Sequence, residues 1–338
     1  MRLKFKFNLK KDLFIALGVI SLITIGIWFV HSDIANPKNK NIILGTSFSP
    51  EYTRYLGLDV GEVYKVILDD WKFRYLRLTA RWDIVESENG KYNFSELDYL
   101  MTEAGKRNAK VVLAAGQKTP RWPECNVPEW ATRLSDDEYF AALNNYLKVV
   151  AERYKNNPAL ETWQVENEAF LDFGTKCRAL DEAKLKSEIA TIKSVDEKHL
   201  VMITDSGELS LWNKTAKAGD IFGSTAYRVV WNEKSGYFNY DWLPPFYYRA
   251  RAVLFGLNLN KVYVSELQAE PWMPDHAITT DNVAEQLKSM NLERLEKQLD
   301  FAQRTGFSRG YYWGAEWWYW LEIHGYDGIS KYIKNLPK

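Results

Sequence analysis

Cysteine and histidine are the scarcest chemistry in this 338-residue chain, with two of the first and four of the second. His31, His199, His276 and His324 stand in no spacing that clamps a metal ion, so no metal site is expected. No Gly-x-Gly-x-x-Gly follows the first apolar run, which removes the phosphate-cradling turn of a dinucleotide-binding sheet, and no cofactor is expected. Formal charge sums to zero and no basic stripe stands out, so a nucleic-acid partner is not expected either. The chain also lacks short-period repeats and low-complexity segments. One large folded domain is the economical reading.

Apolar and aromatic residues are abundant, 46% of the chain being hydrophobic, with fourteen tryptophans. Residues 13–30 carry no charge, and as a helix they would rise ~27 Å, close to the thickness of a bilayer core. Arg2, Lys4, Lys6, Lys10 and Lys11 precede them against the single acid Asp12. This pattern predicts a single-pass transmembrane helix, residues 1–12 forming a basic cytoplasmic tail and Trp28 an anchor at the far interface. Residues 31–40, with Pro37, read as a polar linker, and 41–338 as one extracytoplasmic domain. A cleaved signal peptide is the alternative, but Phe29-Val30-His31-Ser32-Asp33 offers no small-x-small site.

Beyond residue 40, short β-type runs alternate with longer stretches of helical period. Strands are predicted at 42–47, 74–80, 110–115, 161–167, 200–204, 221–227, 261–266 and 310–315. Helices are predicted near 59–70, 95–107, 136–155, 181–195, 209–216, 245–255, 281–305 and 328–335. Eight strands each followed by a helix describe a (β/α)8 TIM barrel of the α/β class. Cys125 and Cys177 each fall a few residues beyond a predicted strand, which places both at one barrel face. A bridge between them is expected, two free thiols being the alternative.

Two of the strands end on acids. Trp163-Gln164-Val165-Glu166-Asn167-Glu168 and Val262-Tyr263-Val264-Ser265-Glu266 each run from apolar residues into a carboxylate. A buried strand has no reason to finish on Glu unless its end opens into a polar cleft. Paired carboxylates at one site are the minimum equipment for cleaving a glycosidic bond, so a carbohydrate is the expected substrate. Glu166, two residues before Glu168, would point to the same face of a strand, and is read as a structural pairing with an arginine. Glu270 rivals Glu266 but lies further out in the loop.

The rim as a whole carries Arg77-Leu78-Thr79-Ala80-Arg81-Trp82-Asp83-Ile84-Val85-Glu86, then Asn167-Glu168, Tyr227, Glu266 and Trp313 in barrel order. This set resembles the clan A glycoside hydrolases, the retaining cellulase-like and β-glycosidase-like (β/α)8 enzymes. The resemblance implies Glu168 as general acid/base and Glu266 as nucleophile, their carboxyls about 5–5.5 Å apart. It implies substrate contacts for Asn167, at the sugar 2-hydroxyl, and for Trp313, as an apolar platform. Arg77 and Tyr227 would be donors beside Glu266. Many clan members carry histidines after strand three and beside the strand-six tyrosine. Here those places read Ala114-Ala115-Gly116-Gln117 and Thr225-Ala226-Tyr227, so Gln117 is expected to replace a sugar donor. Trp122 is expected to stack on sugar, with Trp82, Trp130, Trp231, Trp242 and Trp272 as further candidates. The missing histidines motivate a second reading, a membrane-displayed carbohydrate-binding barrel with little or no hydrolytic activity.

Overall fold

The computed structural model describes residues 9–275 and 277–336. Its strands are β1 Ile43–Ser47, β2 Tyr75–Thr79, β3 Lys110–Ala115, β4 Leu160–Val165, β5 Leu200–Asp205 and β6 Ile221–Ala226. They continue with β7 Val229–Asn232, β8 Gly236–Asn239, β9 Val262–Gln268 and β10 Arg309–Trp313. Eight of them close a parallel barrel in the order β1-β10-β9-β6-β5-β4-β3-β2. All eight predicted strands are present. Every residue of β6, β9 and β10 is buried, because helices cover the outside while side chains fill the inside. In the interior, Arg309 lies against the rings of Tyr75 (4.3 Å) and Tyr263 (4.9 Å) and pairs with Glu161.

Departures from the sequence reading are local. β7 and β8 form an antiparallel hairpin between β6 and the helix Pro245–Leu254, a feature the alternation of strands and helices does not announce. No helix forms over 209–216, where Trp212 adopts a left-handed backbone (φ 64°) and its indole donates to the Ser206 carbonyl. The predicted helix 281–305 is two, Val283–Ser289 and Leu292–Thr305, the second capped by Asn291. β9 runs on two residues past Glu266 to Gln268.

The expected membrane anchor needs correction. The helix Leu9–His31 is present, but among the described residues no helix is long and apolar enough to cross a membrane. The single-pass topology, the extracytoplasmic placement of the barrel and membrane attachment through this helix are therefore not supported. Residues 1–8 of the basic tail lie outside the described residues, as does His276.

Residues 32–40 are not a free tether. Asn36 is buried, donates to the carbonyls of Val30 (2.8 Å) and Ser32 (2.9 Å), and accepts from the Phe246 amide (2.6 Å). Asn39 donates to the Gln303 carbonyl, so this segment is stitched to the helices that flank the barrel's entry face.

Candidate active site

Arg77, in the middle of β2, spends its whole guanidinium inside the barrel mouth. Nε donates to Gln164 Oε1, Nη1 to Glu266 Oε1 and Nη2 to Asn167 Oδ1, each at 2.8 Å. The side chain is 1% exposed, so these charge-assisted bonds act with little screening. Glu266 accepts a second bond on its other oxygen from the Tyr227 hydroxyl at 2.7 Å. Burial first, then the charge of Glu266 and its bond to the hydroxyl, pushes the Tyr227 phenol far up, so Tyr227 stays a donor.

The backbone aims Glu266 through a bulge. Ser224 pairs with Val264 but Thr225 pairs with Glu266, leaving Ser265 as an extra residue on β9. The same shift appears against β10, and it turns the Glu266 side chain relative to the regular pleat.

Glu168 is brought to the same place from β4. Its amide donates to Thr204 Oγ1 (2.9 Å), and its Oε1 accepts from Thr225 Oγ1 at 3.0 Å. Thr225 is the cross-strand register partner of Glu266, so the acid that accepts its hydroxyl stands at the position next to Glu266. Burial first, then the negative charges of Glu124 and Glu266, holds the Glu168 carboxyl well above the usual range. Lys118 and the Thr225 bond pull the other way. One carboxyl thus has donors for an anion, while the other sits in a dry, negative surrounding that favours a proton.

Glu166 does not share the direction of Glu168. Both lie beyond the end of β4 and both have left-handed backbones, φ 58° and 45°, which breaks the two-residue alternation. Glu166 instead accepts the amides of Gln117 and Lys118, each at 2.7 Å, and faces the buried Glu188 on the helix Glu182–Val195. No arginine is involved. Gly116 (φ 148°) is required there, since a Cβ would lie 2.4 Å from Glu166 Oε1. Burial raises both carboxyls above the usual range, so the pair needs a proton in the folded state. Protons bound when folded but lost when unfolded make stability fall as pH rises above the ordinary glutamate value near 4.5. Glu188→Gln should therefore show a smaller drop in Tm between pH 5 and 8 than the unaltered chain, read by thermal scans at both pH values.

The other expected contacts divide. Asn167 gives Oδ1 to Arg77, Gln164 (3.3 Å) and Thr204 (3.3 Å). Gln117 is turned away from any sugar: it accepts from Tyr139 (2.7 Å) and donates to the Arg178 carbonyl (3.1 Å). Trp122 is 64% exposed at the rim. It continues through Phe173 (6.1 Å) and Trp272 (5.7 Å) to Tyr227 (5.4 Å), an aromatic arc across the mouth. Trp82 is fully buried and Trp130 donates to the Glu86 carbonyl, so both serve packing.

Trp313 is present at the end of β10 but is only 7% exposed. The Arg121 guanidinium lies over it at 4.1 Å and over Tyr52 at 3.9 Å, held by ion pairs to Glu270 and Glu316. The space bounded by Arg121, Trp313, Arg77 and Thr79 is 10 Å³, room for about one water. Glu270, the rival acid, belongs to this cluster and not to the pair. A larger hollow of 690 Å³ lies away from the acids, beside Asp33, Asn36 and the helix Leu292–Thr305. Neither Glu168 nor Glu266 lines it.

Arg121, Phe173 and Glu208 escaped the sequence reading. Glu208, just past β5, accepts the Tyr227 amide (3.0 Å) and the Tyr248 hydroxyl, and so positions Tyr227. Loop residues of this kind leave no periodic trace. Cys125 and Cys177 are bonded, tying the loop after β3 to the loop after β4.

Comparison with known proteins agrees with this picture. A family model described as beta-galactosidase matches residues 70–203, a stretch that includes Arg77, Asn167 and Glu168 and stops before Glu266. Mannan endo-1,4-beta-mannosidase A of Aspergillus aculeatus is 30% identical over 129 residues, 35% of this chain and 33% of that protein. Beta-galactosidase Pbg of Clostridium perfringens is 31% identical over 154 residues, 39% of this chain and 22% of that protein. The matched segments thus span a third or less of these relatives. Among solved structures, xylanase 10B from Thermotoga petrophila RKU-1 has the same fold, with TM-score 0.54, 19% identity, and 81% and 82% of the two chains covered. The chain is similar to the clan A glycoside hydrolases in sequence and in barrel fold.

Proposed function

We propose that this protein is a retaining glycoside hydrolase that cleaves a β-linked glycan or glycoside by double displacement. Glu266 attacks the anomeric carbon while Glu168 protonates the departing oxygen. A covalent glycosyl–enzyme forms, and water assisted by the now ionised Glu168 then releases the sugar with its configuration retained. The observation that carries the reading is that Thr225, the register partner of Glu266, donates to Glu168, so an acid held by Arg77 and Tyr227 stands beside an acid kept dry. Asn167 would contact the 2-hydroxyl, a bond that strengthens as the oxocarbenium-like state forms.

The relatives act on mannan and β-galactosides and the structural neighbours include xylanases, so the substrate panel is aryl β-mannosides, β-galactosides and β-xylosides. Incubation with the corresponding 2-deoxy-2-fluoro glycosides should leave one sugar attached, and peptide mass mapping should locate it on Glu266. Glycan binding with neither turnover nor an adduct would favour the carbohydrate-binding reading instead.

A further inference from the structure

The loop between β3 and the helix Glu129–Thr132 delivers two more charged side chains to Glu168. Lys118 and Glu124 are nearly buried and form an ion pair at 3.1 Å. Lys118 Nζ also donates to the carbonyls of Glu168 (3.3 Å) and Leu171 (2.9 Å), which places the pair against the backbone of the acid itself. The loop is braced on both sides of Glu124. Lys118 and Cys125 form an antiparallel bridge, the Thr119 amide donates to the Glu124 carbonyl (2.8 Å), and Cys125 is bonded to Cys177. Thr175 donates to the Pro123 carbonyl (3.1 Å), so the loop that follows Glu168 holds this one in place. Glu124 has a left-handed backbone (φ 69°), a conformation that persists only where the surroundings enforce it.

We propose that Glu124, paired with Lys118 on this disulfide-braced loop, is a positioning residue that keeps the proton on Glu168. The inference rests on Glu168 being the acid/base. Four charged or titratable groups face Glu168: Glu266 from β9, Tyr227 beyond β6, and Glu124 and Lys118 from the loop after β3. Burial, opposed by Lys118 and assisted by Glu266, pushes the Glu124 carboxyl up to about 7, and burial with the charges of Glu124 and Glu266 raises the Glu168 carboxyl. When Glu124 is ionised, its charge opposes loss of the Glu168 proton. Glu266 cannot do this throughout the cycle, because its charge disappears when the glycosyl–enzyme forms. Glu124 forms no bond to the sugar, so the covalent step does not consume its carboxylate.

The test is the pH dependence of kcat/KM on a glycoside whose leaving group needs protonation, such as an alkyl glycoside or a disaccharide. Activity is lost on the alkaline side when Glu168 ionises. Glu124→Gln removes one negative charge without changing shape, so this limb should move to lower pH by about one unit. Glu124→Asp keeps the charge and should restore most of the profile. If the Gln variant does not fold, Glu124→Ala removes the same charge and should give the same displacement. Superimposable profiles for unaltered and neutral variants, with Glu168→Gln inactive, would overturn the role of Glu124 alone. Full turnover in Glu168→Gln would instead overturn the reading of Glu168.

Discussion

Glu266→Gln is expected to lower kcat by about 10⁴-fold or more, a loss of roughly 5–6 kcal/mol of transition-state stabilisation, and to lower Tm as well, because the buried Arg77 guanidinium loses its ion-pair partner. Gln keeps the volume of the side chain and can still accept from Arg77, but it cannot attack an anomeric carbon. Glu266→Gly should regain activity in azide, with a glycosyl azide of inverted configuration as product, because the small anion occupies the space of the lost carboxylate. Glu168→Gln should behave differently. Its defect should be large on substrates whose leaving group needs protonation and small on the first step with activated aryl glycosides. Identical losses across leaving groups would exchange or dismiss these roles.

Arg77→Met is expected to have the second-largest effect. It removes three buried bonds at once and leaves Glu266 with the Tyr227 hydroxyl alone. Removing one partner of a buried ion pair costs about 3–5 kcal/mol, so a marked fall in Tm is expected. Turnover should drop by about 10²–10³, since the nucleophile and Asn167 both lose their orientation. Arg77→Lys should rescue only part of this. An ammonium can meet Glu266 but cannot span Gln164 and Asn167 together. A Tm and rate profile matching the unaltered chain would show that the fork is not needed.

The barrel itself was legible because its signals are local. Apolar β-branched runs at regular intervals mark β2, β3, β4 and β9, and helical periods fill the gaps between them. Glu168 and Glu266 drew attention for the same reason, each standing near the point where an apolar run stops. The local signal misled where the backbone left regular geometry. The left-handed residues Glu166 and Glu168 broke the alternation assumed for a strand, and Trp212 stopped a helix that periodicity suggested. Gln117 read as a sugar donor because it follows β3, yet its side chain is taken by Tyr139 and Arg178. The apolar run at 13–30 read as a membrane span from composition alone, whereas no helix among the described residues meets the length and apolarity a span requires.

By itself, the order of residues determined an eight-stranded α/β barrel and singled out Glu168 and Glu266 as candidates, since both follow from the spacing of apolar side chains along a few consecutive residues. Only closure of the barrel decided who faces whom. It set Arg77 against Glu266 across 189 positions, seated Arg121 on Trp313, and carried Glu124 to the neighbourhood of Glu168. The physical reason is that such contacts depend on strand register, a bulge and loop backbones in rare conformations, none of which is encoded in the periodicity of any single segment.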